Sequence, residues 1–134
     1  MSKLKVLVTG SNGMVGYCIS QLVEELTVGS SDTGSTSLSI QAALDCFNES
    51  QDRESLIAFL KTVVPQCSFY FATRSLDGDL SDSATVSALF EKVKPTHVIH
   101  LAAKVGGLFA NMEDKVGFFE QNLAMNGNII RACH

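Results

Sequence analysis

The sequence predicts an α/β fold, the N-terminal part of a doubly wound parallel sheet, on three observations. Short runs rich in β-branched and aromatic residues alternate with stretches of helical apolar spacing, as parallel strands joined by crossover helices require. The first run, "LKVLVT" at residues 4 to 9, is apolar enough to be buried on both faces. A turn with three glycines, "GSNGMVG", lies between that run and the helical stretch that follows it.

The elements follow in chain order. After the glycines, Val15, Ile19, Leu22, Val23 and Leu26 recur at spacings of three and four and predict a helix that covers the first strand. Residues 29 to 37, "GSSDTGSTS", have no apolar residue to bury and predict a loop. It opens what reads as an insertion over 27–66. Inside it, "SLIAFLKTVV" sets Leu56, Leu60, Val63 and Val64 on one helical face, with Ser50 or Asp52 as caps and Pro65 as the stop. "CSFYFAT", 67 to 73, predicts strand two, and "RSLDGDLSD" a loop. Asp82 caps a further helix whose face is Val86, Leu89, Phe90 and Val93, closed by Pro95. "THVIHLAA" predicts a third buried strand, with its free edge on the side away from strand one. The tail from about Glu113 predicts a long helix interrupted at Gly117 and Gly127, buried through Val116, Phe119, Leu123, Ile130 and Cys133.

Composition narrows the classes of function. The chain has 134 residues, enough for one domain with a real core. A net charge of -4 argues against a nucleic-acid partner. Cys18, Cys46, Cys67 and Cys133 show no Cys-x-x-Cys spacing, so neither a metal site nor a disulfide framework is expected. No apolar run has the length of a signal-peptide core or a membrane span, which predicts a soluble, cytoplasmic protein without a membrane partner.

Gly10, Gly13 and Gly16 form Gly-x-x-Gly-x-x-Gly where a strand becomes a helix, the context of the dinucleotide-binding fingerprint. Gly10 permits the tight turn, Gly13 removes the Cβ between backbone and pyrophosphate, and Gly16 lets the helix approach the strand. The helix N-terminus then favours phosphate charge. The competing interpretation is a turn that merely needs glycine. Arg74, at the end of strand two, is the candidate reader of the adenine ribose: a guanidinium pairs with a 2′-phosphate, where an acidic residue would accept from a 2′-hydroxyl. That choice favours NADP over NAD. Asp79 is the candidate acceptor for the adenine amino group. Arg74 as a solvated surface residue and Asp79 as a plain loop residue are the bland alternatives.

"THVIHLAAKVGGLFANMEDKVGFFEQNLAMN" resembles the GDP-L-fucose synthases, extended short-chain reductases that epimerise and then reduce GDP-4-keto-6-deoxy-mannose with NADPH. "HLAA" after a strand is widespread among extended reductases, and "KVGGLFAN" is more particular to fucose synthases. "VTGSNGMVG" and "ATRSLDGDLSDSATVSALFEKVKPTHVIH" extend the likeness, so that it covers about 4 to 26 and 67 to 134 and leaves the insertion unmatched. The resemblance implies a Rossmann-type NAD(P)-binding domain over 1–134, incomplete at its C-terminus. It places Gly10, Ser11, Asn12, Gly13, Met14, Val15, Gly16, Arg74, Asp79, Leu80, Leu101, Ala102 and Ala103 at the NADP site. It places Val105, Gly106 and Gly107 toward a GDP-keto-deoxyhexose substrate, and implies a homodimer for the full-length protein. Asn122 matches a polar helix position that ties neighbouring backbone.

Reductases of this superfamily use a tyrosine with a lysine four residues later. Here Tyr17 is followed by Gln21 and Tyr70 by Arg74, so neither fits. By the resemblance, that tyrosine and the Cys and His of epimerisation lie beyond position 134, no catalytic residue falls within this chain, and the chain is a fragment of an enzyme, inactive alone. His97 and His100, in the third strand, are expected to pack rather than react. Two other interpretations stay open: another nucleotide-sugar epimerase or dehydratase, and a non-catalytic nucleotide-binding module.

Overall fold

The computed structural model describes residues 3–28 and 52–134. The Gly/Ser/Thr tract, Cys46 and the candidate cap Ser50 lie outside the described residues. Strand β1 (Leu4–Thr9) leads through the glycine turn into helix α1 (Met14–Val28). Helix α2 (Asp52–Val63) continues into a 3-10 turn (Val64–Gln66) and strand β2 (Cys67–Ala72). A four-residue helix α3 (Arg74–Asp77), helix α4 (Ser83–Val93), strand β3 (His97–His100), helix α5 (Leu108–Glu113) and helix α6 (Lys115–Cys133) complete the order.

The three strands form one parallel sheet in the order β2-β1-β3. β1 is central: Leu4 to Thr9 pair with Cys67 to Ala72, and Val6 to Thr9 pair with His97 to His100. Leu7, Val8 and Thr9 have no accessible surface and Val6 keeps 7%, as expected of a strand covered on both faces. Alternation sorts its side chains. Leu7 joins Ala72, Leu80, Val86, Leu89, Met125 and Ile129, so α4 and α6 cover one face of the sheet. Val6 and Val8 join Cys67 on the other, packed by Val63, Phe69, Phe71 and Leu101, with Phe69 and Phe71 stacked at 6.0 Å.

Asp82 caps α4 as expected, its carboxylate accepting from the N–H groups of Ala84 and Thr85. Lys94, in the left-handed region at φ 49°, ends that helix just before Pro95.

Several expectations are corrected. "RSLDGDLSD" begins with a helical turn, not a loop. β3 is an edge strand of alternating exposure rather than a buried one: His97 and Ile99, on one face, are exposed, and Val98 and His100, on the other, are half-buried. The tail is two helices, and the second runs unbroken through Gly117 and Gly127. Its buried face is also a different one. Met125, Asn128 and Ile129 point inward, while Val116, Phe119, Leu123 and Ile130 are 60–69% exposed, and Cys133 is exposed. The α6 sequence is apolar on more than one side, so periodicity alone could not select the face. Val15 is likewise exposed, though Ile19, Leu22, Val23 and Leu26 of its stripe are half-buried. Pro65 lies within the 3-10 turn after α2, where its ring is tolerated at the start of a helical turn. Val64 is buried and Val63 packs beneath the sheet, so the C-terminal end of the 27–66 segment is built into the core.

Candidate functional site

The carboxyl ends of all three strands meet at the glycine turn, at the point where chain order reverses on either side of β1, the usual place for a ligand in an open α/β sheet. Gly10 has φ 74°, and a Cβ there would lie 2.6 Å from the N of Ala102 and 2.7 Å from the carbonyl carbon of Leu101. Glycine is therefore needed twice over, for the backbone angle and for contact with the segment after β3. Gly16 is similarly enclosed: its Cβ would meet the carbonyl oxygen of Gly10 at 2.4 Å and the Cα of Ser11 at 2.6 Å. The helix thus packs on the turn itself rather than on the strand. Gly13 differs, because its Cβ would approach only the Gly10 carbonyl oxygen, at 3.2 Å, and the residue is exposed. That leaves an open surface just before α1: the Gly13 N–H donates to the Gly10 carbonyl at 3.0 Å and the Tyr17 N–H to the Gly13 carbonyl at 2.8 Å, so the orphan N–H groups of the helix start are those of Met14, Val15 and Gly16. Asn12, Met14 and Val15 are exposed around it.

Ser11 is buried, and its hydroxyl donates to the carbonyl of Ala72 at 2.9 Å. This bond joins the glycine turn to the end of β2, so Arg74, two residues past Ala72, lies on the same edge of the sheet. The Arg74 guanidinium is 80% exposed and donates through Nη2 to Asp79 Oδ2 at 2.6 Å. Asp79 Oδ1 accepts from the N–H and the hydroxyl of Ser81, and these bonds, with Arg74 beside them, hold its carboxyl below the ordinary carboxylate value despite partial burial. The structure brings the two candidate adenosine readers together as an ion pair. Leu80, by contrast, turns its side chain into the core, and its carbonyl accepts from Asn128.

Leu101 and Ala102 follow β3 directly, the N–H of Leu101 donating to the Thr9 carbonyl. Beyond them two asparagines shape the Lys104–Gly107 turn. Asn122 accepts from the Lys104 N–H at 2.8 Å and donates to the Lys104 carbonyl at 3.0 Å, as its helix position implied. Asn111 donates to the carbonyls of Gly106 and Gly107 at 2.7 and 3.1 Å. The Lys104 ammonium lies over the Phe118 ring at 4.5 Å and pairs with Asp114 at 2.8 Å, whose carboxyl it holds below the ordinary value. A Cβ on Gly106 would sit 2.7 Å from the Phe118 ring, whereas Gly107 has open space around it, and Val105 and Ala103 are exposed. A cleft of about 370 Å³ lies beside the turn, lined by Lys104, Asn111, Phe118, Phe119, Asn122, Leu123 and Asn126.

Sequence reasoning missed three contributors: Asn111, Asn128 and Asp77. Buried Asn128 donates to the carbonyls of Leu80 and Ser81 at 3.1 and 2.9 Å, tying the Asp79 loop to α6. His100 Nδ1 lies 2.6 Å from the Thr9 hydroxyl, and burial pushes its pKa down; His97 instead bonds the neighbouring Thr96. Tyr17 is exposed on α1, and Tyr70 donates to Asp77. Among the described residues no cluster of three or more His, Cys, Asp or Glu could hold a metal, and no helix is long and apolar enough to cross a membrane.

Comparison with known proteins agrees with this geometry. A GDP-L-fucose synthase of Dictyostelium discoideum is 37% identical over 98% of the chain, which covers 30% of that protein. A probable GDP-L-fucose synthase of Drosophila melanogaster is 44% identical over 60% of the chain and 25% of its own length. Among solved structures, a GDP-L-fucose synthetase from Naegleria fowleri bound to NADP superposes with a TM-score of 0.60 at 29% identity, over 99% of this chain and 29% of that one. The chain thus spans under a third of the length of these relatives. The model of the "NAD dependent epimerase/dehydratase family" matches residues 6–134, so the glycine turn, the parallel sheet and the match point the same way: the chain belongs to that family.

Proposed function

We propose that this chain is the NADP-binding portion of a GDP-L-fucose synthase, which converts GDP-4-keto-6-deoxy-mannose to GDP-L-fucose by epimerisation and NADPH-dependent reduction. One observation carries the proposal. The open Gly13 backbone and the exposed Arg74 guanidinium share one sheet edge through the Ser11–Ala72 bond, which is the arrangement needed to seat a pyrophosphate and a ribose 2′-phosphate together. Arg74 spends one N–H on Asp79 and keeps others for a phosphate. The likeness to fucose synthases, one of them an NADP complex, supports the choice of cofactor and of nucleotide sugar.

In this reading the cofactor supplies hydride to a keto carbon. The residues of the chain hold and orient it: the glycine turn binds the pyrophosphate, Arg74 the 2′-phosphate, Asp79 the adenine amino group, and Leu101 to Ala103 line its path. Val105 to Gly107, fixed by Asn111 and Asn122, face the reacting end and leave space for the sugar. The proton donor comes from residues outside this chain. A homodimer in the cytoplasm belongs to the same proposal, with the exposed apolar face of α6 as available contact surface.

Titration of the full-length protein with NADPH and NADH tests the proposal. Tighter binding of NADPH, with turnover of the GDP-keto-sugar, is expected; equal affinity for the two cofactors would remove the role of Arg74.

A further inference from the structure

The four-residue helix α3 carries Arg74, yet its first three residues are exposed, Leu76 to 82%. So short a helix has no stability of its own. Its anchor is Asp77, whose side chain is 3% exposed. Asp77 Oδ1 accepts from the Tyr70 hydroxyl at 2.6 Å and from the Lys92 ammonium at 3.1 Å, and Oδ2 accepts from the N–H of Thr73 at 3.0 Å. Lys92 also bonds the Tyr70 hydroxyl and lies 4.8 Å from the centre of its ring. Three elements converge on this carboxylate: β2 through Tyr70, α4 through Lys92, and the residue directly before Arg74 through the main chain. A buried charge is tolerated only when so paired. Burial alone would raise the Asp77 pKa, but the Tyr70 and Thr73 hydrogen bonds and the Lys92 charge together lower it.

We propose that Asp77, held by Tyr70 and Lys92, is a positioning residue for recognition of the dinucleotide 2′-phosphate: it fixes the main chain from which Arg74 projects, and so determines selectivity for a phosphorylated over an unphosphorylated ribose. The inference rests on the assignment of Arg74 as the phosphate reader. Asp77 touches no part of the cofactor in this role. It acts through the α3 backbone, and Tyr70 and Lys92 act through Asp77.

The test measures NADPH and NADH affinities in the full-length protein for Asp77→Asn, Tyr70→Phe, Lys92→Met, Lys92→Arg and Arg74→Ala, with thermal melting to verify folding. Asp77→Asn and Lys92→Met should lower the NADPH/NADH affinity ratio about three- to tenfold, the scale of one weakened charge-assisted contact, with NADH binding little changed. Lys92→Arg should restore the ratio. In the Arg74→Ala background Asp77→Asn should change the ratio no further, because the two act on one contact. Should Asp77→Asn fail to fold, Tyr70→Phe, which removes one bond and keeps the ring, carries the same expectation. A ratio lost in Arg74→Ala but unchanged in Asp77→Asn and Tyr70→Phe, or equal weakening of both cofactors, overturns the positioning role alone. A ratio unchanged in Arg74→Ala overturns the phosphate assignment and this inference with it.

Discussion

Arg74 and Asp79 are joined by a 2.6 Å ion pair at the carboxyl edge of the sheet, and both remain partly open to solvent. Each half of the pair is assigned a different part of the same adenosine, so their variants should separate. Arg74→Ala should weaken NADPH about ten- to a hundredfold, the equivalent of about 1.5–3 kcal/mol for a charge-assisted bond, and leave NADH nearly unchanged. Asp79→Asn should weaken both cofactors alike, because adenine is common to them. Titration of both variants with both cofactors checks this.

The glycines of the turn should also separate. Gly13→Val should abolish nucleotide binding while the protein stays folded, since its side chain enters space that is open except for the Gly10 carbonyl. Gly10→Ala should instead destabilise the fold by several kcal/mol or prevent folding, because its Cβ would overlap the Leu101–Ala102 backbone and φ 74° is unfavourable for alanine. Circular dichroism alongside binding distinguishes the two; a folded, binding-competent Gly13→Val variant would mean that the turn is structural only.

Asn122→Ala removes both bonds to the Lys104 main chain and the bond to the Phe118 carbonyl. A loss of about 1–3 kcal/mol is expected in denaturant unfolding. Apparent affinity for the nucleotide sugar should fall as well, since the Val105–Gly107 turn loses its support. Asn122→Asp keeps the acceptor for the Lys104 N–H and should fall between.

His100 makes stability depend on pH. Burial lowers its pKa from the ordinary 6.5, so the folded state takes up a proton less readily than the unfolded chain. Stability is then level above that value and declines as pH falls through it. Melting temperatures measured from about pH 7.5 down to about pH 5.5 should drop, and His100→Gln should flatten the profile over that interval.

Residues 1–134 expressed alone should self-associate, bind NADPH weakly if at all, and turn over no GDP-keto-sugar. The outer edge of β3 is unpaired among the described residues, and Phe109, Val116, Phe119, Leu123 and Ile130 expose apolar surface. Light scattering and a reductase assay are the measurements; a stable monomer would favour a stand-alone binding module. For the 27–66 segment, proposed as an insertion, a deletion that keeps α2 and the Val63–Val64 anchor should fold, whereas one that removes those two valines should not.

The sequence by itself determined what depends on local pattern. β1 was legible because only a strand covered on both faces tolerates "LKVLVT", the turn because three glycines between strand and helix have one common use, and the Asp82 cap because its acceptor serves N–H groups two and three residues on. Arg74 could be placed because it lies two residues past the end of a strand. What only the tertiary structure decided is partnership and facing. α6 carries apolar residues on several sides, and which of them turn inward depends on where α4 and the sheet lie, so Met125 and Ile129 are buried while Phe119 and Leu123 are not. The exposure of His97 and Ile99 depends on which face of β3 is covered, which a strand does not record in its own residues. Asn128 reads as an ordinary helical asparagine until the carbonyls of Leu80 and Ser81, far earlier in the chain, come within its reach. Asp77 reads as a loop aspartate until Tyr70 and Lys92 meet it. Periodicity reports that a residue has a side; packing alone determines what that side touches, because a buried polar group is stable only where distant groups complete its hydrogen bonds.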